Sequence, residues 1–329
     1  MTSHNSVSFV GFACVLVASA LWGTTGTTAT FASGVSPLGI GAVAMGFGGL
    51  LLALTALHSI VRSSNRIAAQ WPMLLLGSLS VAVYPLAFYS SMHLAGVAIG
   101  TVISIGSAPL AASLIERIFD GQRLTTRWLL GAAAGLAGAA LLVFSESHGG
   151  AGPADASAVL YGILLGLVSG LLYALYSWVA RRLMQAGIPP RAAMGSVFGI
   201  GGTALLPVLA FTGAPLLASW TNIAVGIYMA LVPVLVAYVL FAYGLARVST
   251  TMATTLSLLE PVIAAVLAVA IVGERLPAEG WAGIGLIVGS LFILTVRMPG
   301  RRPPPGATPS GAGKTEASFV LAPPSTQDA

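Results

Sequence analysis

Few residues in this chain can do chemistry. Glu260 sits inside "SLLEPVIAAV" (257–266), an apolar run in which nothing else ionises, and Pro261 follows it. A carboxylate in hydrocarbon costs at least a few kcal/mol, so such residues face a cavity or a partner. Two chemistries fit: a titrating proton site, or a counter-charge for a cationic group on a solute. A structural role fits too. Pro261 has no N–H to give the carbonyl of Ser257, and a protonated Glu260 could lean back and fill that break. Aromatic residues near the middle of other apolar runs could share a site with it. Tyr84, Tyr173, Tyr238 and Trp22 are the candidates, because a buried phenol or indole needs a polar partner. Tyr89, Tyr243 and Trp178 lie nearer run ends and read as interface anchors. "GTTGTTAT" (23–30) offers hydroxyls, Thr25 among them, that either line a polar path or bond back to their own helix.

Other chemistry is poorly served. His4, His58, His93 and His148 lie at ends or loops. No two form an i, i+4 metal pair, and no apolar run joins an acid to a histidine. Cys14 stands alone, with no internal disulfide and no metal set available. An enzyme fits badly, and no cofactor or metal is expected. The net charge of +5 rests on few residues and does not suggest nucleic acid.

The elements that must position these residues are membrane helices. Of 329 residues, 57% are hydrophobic and 7% charged; a soluble domain carries about a quarter charged residues. Spanning about 30 Å of hydrocarbon takes about 20 mostly apolar residues. Ten such segments are expected: 9–31, 37–57, 71–91, 98–118, 128–144, 159–180, 192–211, 222–245, 251–272 and 280–296. The first has an Ala18-Ser19-Ala20 element like a signal-peptidase site. It lacks a basic flank, though, and is long enough to span, so it reads as a retained helix. With both termini in the cytoplasm, thirteen of the fourteen Lys and Arg fall inside and only Arg275 outside, as basic residues resist translocation. Residues 1–8 form a short cytoplasmic N-terminus. Residues 297–329, rich in Pro, Gly, Ala and Ser, read as a disordered cytoplasmic tail. Its "GAGKT" lacks the first glycine, strand and helix of a phosphate loop. Arg301 and Arg302 suit anionic lipid heads.

The chain is written twice. "FDGQRLTTRWLLG" (119–131) matches "IVGERLPAEGWAG" (271–283) at a shift of 152. At that shift Pro109 lies on Pro261 and Ala108 on Glu260, so the duplicated helix does not itself require an acid. Pro109 and Pro261 are each expected to kink or break their helix. "YPLAFY" (84–89) lies on "YVLFAY" (238–243), pairing Tyr84 with Tyr238, and Trp22 stands opposite Tyr173. The halves, 9–144 and 159–296, flank an external linker at 145–158. Five helices is an odd number, so the second copy enters the membrane from the other side. Inverted repeats of this kind suit alternating access to a central site. "GAAAG" (131–135) and "GLIVG" (285–289) have helix-packing spacing, read as internal packing.

"ALWGTTG" (20–26), "SLLEPVIAAVLAVAIVGERL" (257–276) and the degenerate "SIGSAPLAASLIERIFDGQRL" (104–124) resemble the EamA repeat of the drug/metabolite transporter superfamily. The resemblance covers 9–296 and is closer in the second half. It implies an all-α integral membrane protein of ten transmembrane helices in two inverted five-helix repeats. It also implies a plasma-membrane carrier, often an exporter of amino acids, related metabolites or drugs. Many members carry an arginine in helix 2, where this chain has Ala44 and Met45, and the acid of "GERL" becomes Gln122 in the first half. The expected function is secondary transport of a small solute, with protons as a possible partner. The alternatives are a transport-inactive membrane scaffold and, less well supported, an intramembrane enzyme. Cargo, direction and oligomeric state stay open.

Overall fold

The computed structural model describes residues 3–95, 97–123, 125–146, 156–273 and 277–295. Most of the expected linker, the "GERL" loop and the tail lie outside these. The described residues are helical and contain no strand. In chain order the helices are α1 (Ser3–Trp22), α2 (Thr25–Ala29), α3 (Pro37–Arg62), α4 (Ser64–Ala69), α5 (Trp71–Ala95), α6 (Val97–Asp120) and α7 (Thr126–Glu146). They continue with α8 (Ala156–Gln185), α9 (Pro190–Thr212), α10 (Trp220–Met229), α11 (Ala237–Leu245), α12 (Thr250–Leu256), α13 (Leu259–Leu267) and α14 (Ala278–Thr295). A π-helical stretch, Ala230–Val236, joins α10 to α11, and another, Ala268–Val272, follows α13.

Among the described residues, seven helical stretches are long and apolar enough to cross a membrane: 9–29, 37–62, 71–95, 157–185, 190–212, 220–245 and 250–271. The expected spans at 98–118, 128–144 and 280–296 fall on α6, α7 and α14 but outside that set. α6 carries Glu116, Arg117 and Asp120 in its last turns, and α14 has only 18 residues.

Local chemistry explains where helices start. Ser36 accepts from Gly39 N–H at 3.1 Å, ahead of Pro37 in the first turn of α3. Ser219 accepts from Asn222 N–H at 3.1 Å and opens α10. Each side chain satisfies one of the orphan donors of a helix N-terminus. Glycines occupy four of the turns that follow helices. Gly34, Gly121, Gly187 and Gly273 have φ of 71°, 65°, 83° and 81°, a conformation that L side chains resist.

Small residues let the helices approach closely. α3 packs along α9, α5 along α8, and α7 along α14. Gly202 of α9 lies so near α3 that a Cβ there would stand 2.7 Å from the Met45 carbonyl. The two glycine motifs behave differently. Gly131 and Gly135 pack internally, against Leu294 and against Leu258 and Ser290, whereas Gly285 and Gly289 have open space before them. Internal packing therefore holds for "GAAAG" alone. The outer surface is apolar, with Phe211 90% and Trp220 85% exposed. Water would not tolerate such a surface, and lipid does.

Candidate functional site

Two long helical paths are interrupted at the centre of the molecule. The first breaks at Gly23 and Thr24, between α1 and α2. The second breaks at Ser257 and Leu258, between α12 and α13. The breaks touch: a Cβ on Gly23 would lie 2.6 Å from Ile263 Cβ and 2.7 Å from the Glu260 carbonyl oxygen. Neither neighbour is a flexible side-chain end, so the contact has no slack. Gly23→Ala is expected to push α13 off its seat and cut transport at least tenfold, with insertion into the membrane retained. Transport at the parent rate would show that this contact does not matter.

The second break has a clear cause. Pro261 cannot donate to the Ser257 carbonyl. The backbone N–H of Glu260 donates to it instead, at 2.9 Å. The freed carbonyl is thus satisfied without the Glu260 side chain, which has no kink to fill. Pro109, the matching proline, behaves otherwise, lying inside the uninterrupted α6.

The Glu260 carboxyl points into a central cavity of about 60 Å³. That is room for a few waters and too small for a metabolite. Trp22, Thr25, Tyr84, Tyr173, Tyr238 and Glu260, the six residues singled out from sequence, all line it. Tyr89, Tyr176, Phe88, Met45 and Pro233 line it as well. Tyr89 is therefore no interface anchor; its ring lies against Gly41 of α3. Trp178 is no anchor either. It is buried, and its indole N–H donates to Asp120 at 3.0 Å. Position along a helix suggests depth but says nothing about facing. Tyr243 is 37% exposed and has Arg247 over its ring.

The aromatic rings form one cluster. Trp22 stands 5.0 Å from Tyr238 and 6.2 Å from Tyr173, and Tyr84 stands 6.0 Å from Tyr173 and 5.8 Å from Tyr176, between centroids. Most polar tips are committed. The Trp22 indole N–H donates to the Pro233 carbonyl at 2.8 Å, within the π-helical stretch. The Tyr173 hydroxyl shares a hydrogen bond of 2.6 Å with Ser257, and Tyr176 shares one of 2.9 Å with Tyr238. The Thr24, Thr25, Thr28 and Thr30 hydroxyls bond back to helix carbonyls, as intrahelical threonines do. Among the described residues nothing donates to the Glu260 carboxyl, and no Lys, Arg or His lines the cavity.

A larger hollow, about 640 Å³, lies between α3, α9 and α10. Its walls are apolar apart from Asn222, whose amide N–H groups donate to the Ser33 and Pro215 carbonyls at 3.0 and 2.8 Å. Among the described residues, the ionisable and aromatic polar groups line the smaller cavity.

A second buried acid escaped sequence reading. Glu116, 1% exposed near the end of α6, accepts from the Thr250 and Thr251 N–H groups of α12 at 2.6 and 3.1 Å. Arg181 of α8 lies 3.5 Å away. Beside them, Asp120 pairs with Arg182 at 2.5 Å. The available signal was an acid just inside one apolar run, facing the Arg181-Arg182 pair that closes another.

A lipid-facing helical molecule with a polar, aromatic cavity at the meeting point of two broken helices is an integral membrane protein of the transport class. The chain belongs to the EamA-like transporter family, whose model matches residues 9–144 and again 160–296. It is 33% identical over 282 residues to the uncharacterized transporter YwfM of Bacillus subtilis, covering 85% of this chain and 92% of that protein. It is 26% identical over 311 residues to a probable terminal-alkyne amino-acid exporter of Streptantibioticus cattleyicolor, covering 86% and 95%. A solved crystal structure shares the fold with a TM-score of 0.71 at 22% identity, covering 88% of this chain and 96% of that one.

Proposed function

We propose that this protein is a secondary transporter, working as an exporter, that moves a small solute by alternating access around the Glu260 cavity. The observation that carries this reading is a carboxyl without a partner among the described residues, in a cavity walled by helices from both halves. A buried polar group without a partner is costly, and a passing solute or proton supplies one.

Ten spans in two inverted repeats supply the mechanism. The four left-handed glycines support this: Gly121 and Gly273 stand at equivalent places, as Gly34 and Gly187 nearly do. Contacts support it as well. Exchanging the halves maps the α5–α8 pair onto α1–α11, and α3–α9 and α7–α14 each onto themselves. Two related halves can trade packings and open the centre to one side and then the other. The distribution of basic side chains supports both termini lying on the cytoplasmic side of the cell membrane. The name of the Streptantibioticus cattleyicolor relative, a probable terminal-alkyne amino-acid exporter, supports export and a cargo of amino-acid size.

The test is a thermal-shift screen of purified protein against small metabolites, followed by counterflow of the hits in proteoliposomes. A ligand at about 100 times its Kd adds about 2.7 kcal/mol to the folded state. At least one hit should exchange saturably across the bilayer. Failure of every hit to move faster than through empty liposomes would leave a transport-inactive scaffold. Product formed without a gradient would instead indicate an enzyme.

A further inference from the structure

We infer that the cargo of this cavity is an organic ammonium cation, and that the site rejects solutes whose positive charge is offset by a carboxylate. This rests on the transport reading above and adds the substrate class to it.

Charge and donors in the cavity are one-sided. Glu260 contributes a carboxyl with no described partner, and no basic side chain lines the walls. The α3 residues Ala44 and Met45, which line the cavity, carry no charge. The donors that could receive an anion are largely spent. Trp22 N–H is held by the Pro233 carbonyl, Tyr173 is paired with Ser257, and Tyr176 with Tyr238. A solute carboxylate would meet the Glu260 carboxyl with the hydroxyls of Tyr84 and Tyr89 and the one proton left over in the Tyr176–Tyr238 pair, and with no opposite charge. Like charges in such a space repel strongly because little water screens them.

The composition of the walls suits a cation as well. Trp22, Tyr84, Tyr173, Tyr176 and Tyr238 present a cluster of π systems, whose faces attract ammonium groups. A hard metal ion would need a cage of six or more oxygens. No described group of three or more His, Cys, Asp or Glu could provide one. A proton alone would satisfy the carboxyl without engaging the aromatic walls. An organic amine uses both: its ammonium group meets Glu260, and its apolar body meets the rings.

Three probes of one shape separate the possibilities: phenethylamine, a cation; phenylalanine, a zwitterion; and phenethyl alcohol, which is neutral. Binding to the purified full chain is measured for each by thermal shift and by competition against radiolabelled phenethylamine. Phenethylamine should bind at least tenfold more tightly than the other two. Glu260→Gln should erase that preference. Tyr84→Leu should weaken the amine by about three- to tenfold, while Tyr84→Phe, which keeps the ring face, should not. Equal binding of phenylalanine or the alcohol, or a preference that survives Glu260→Gln, overturns the cation assignment. So does failure of all three to bind at millimolar concentration. The broader counterflow screen then tells the two readings apart. If a neutral or zwitterionic solute exchanges, transport stands and only the substrate class falls. If nothing exchanges, both fall.

Discussion

Glu260→Gln is expected to stop transport while leaving the fold in place. Gln has the same shape and keeps hydrogen-bonding capacity but cannot ionise. The backbone around residue 260 should not notice, because the kink at Pro261 is already satisfied by the Glu260 N–H and not by its side chain. The carboxyl itself stands in the cavity without a described partner, ringed by phenols. Flux of any counterflow substrate should fall at least tenfold, and more if a proton exchanges at this site in each cycle. Thermal stability should stay within a few degrees of the parent. Glu260→Ala should likewise lose flux with little loss of stability, since no hydrogen bond to the helix is removed. Parental flux and pH dependence in the Gln variant would refute the functional role of Glu260. A large loss of stability in the Ala variant alone would return it to a structural one.

The largest stability loss is expected at Glu116. One carboxylate there accepts from two N–H groups that open α12 and faces Arg181 of α8. It joins three helices, and it is almost wholly enclosed. Glu116→Ala strands two buried donors and leaves Arg181, 19% exposed, without its acid. Breaking a buried pair from one side costs about 3–5 kcal/mol. At roughly 2–4 °C per kcal/mol, Tm of the purified protein should fall by at least about 6 °C. Arg181→Ala should cost less, because the two α12 donors keep their acceptor. In the double variant the losses should be well short of additive, since the two residues share one interaction. A Glu116→Ala protein melting within 2 °C of the parent, measured side by side, would mean that water replaces the carboxylate easily and that the tie is weak.

How far the sequence reaches is plain from these two acids. Glu260 was legible because an acid in an apolar run is rare and its repeat partner is Ala108, so duplication alone cannot explain it. Glu116 was not. It sits beside Arg117 near the end of a run, where a charge is unremarkable. Its partners are Thr250 and Thr251, more than 130 residues away, and backbone N–H groups leave no mark in a sequence. The aromatic residues divide the same way. Tyr84, Tyr173, Tyr238 and Trp22 could be chosen by depth, because depth follows from counting residues along a helix. Tyr89 and Trp178 were misplaced because facing depends on helix rotation, which only the neighbours fix.

The sequence by itself determined the solvent, the helical class and the duplication. Each is carried by a sum over many residues: hydropathy along a span, arginines along the loops, matches between two halves. Such sums tolerate local error. The tertiary structure alone decided which groups meet. It brought Gly23 against the Glu260 carbonyl, gave the Ser257 carbonyl to a backbone donor, and left the carboxyl without a described partner in the cavity. These are contacts of a few ångströms between distant segments. A helix turned by one residue rotates its side chains by about 100°, so no average over the chain can specify them.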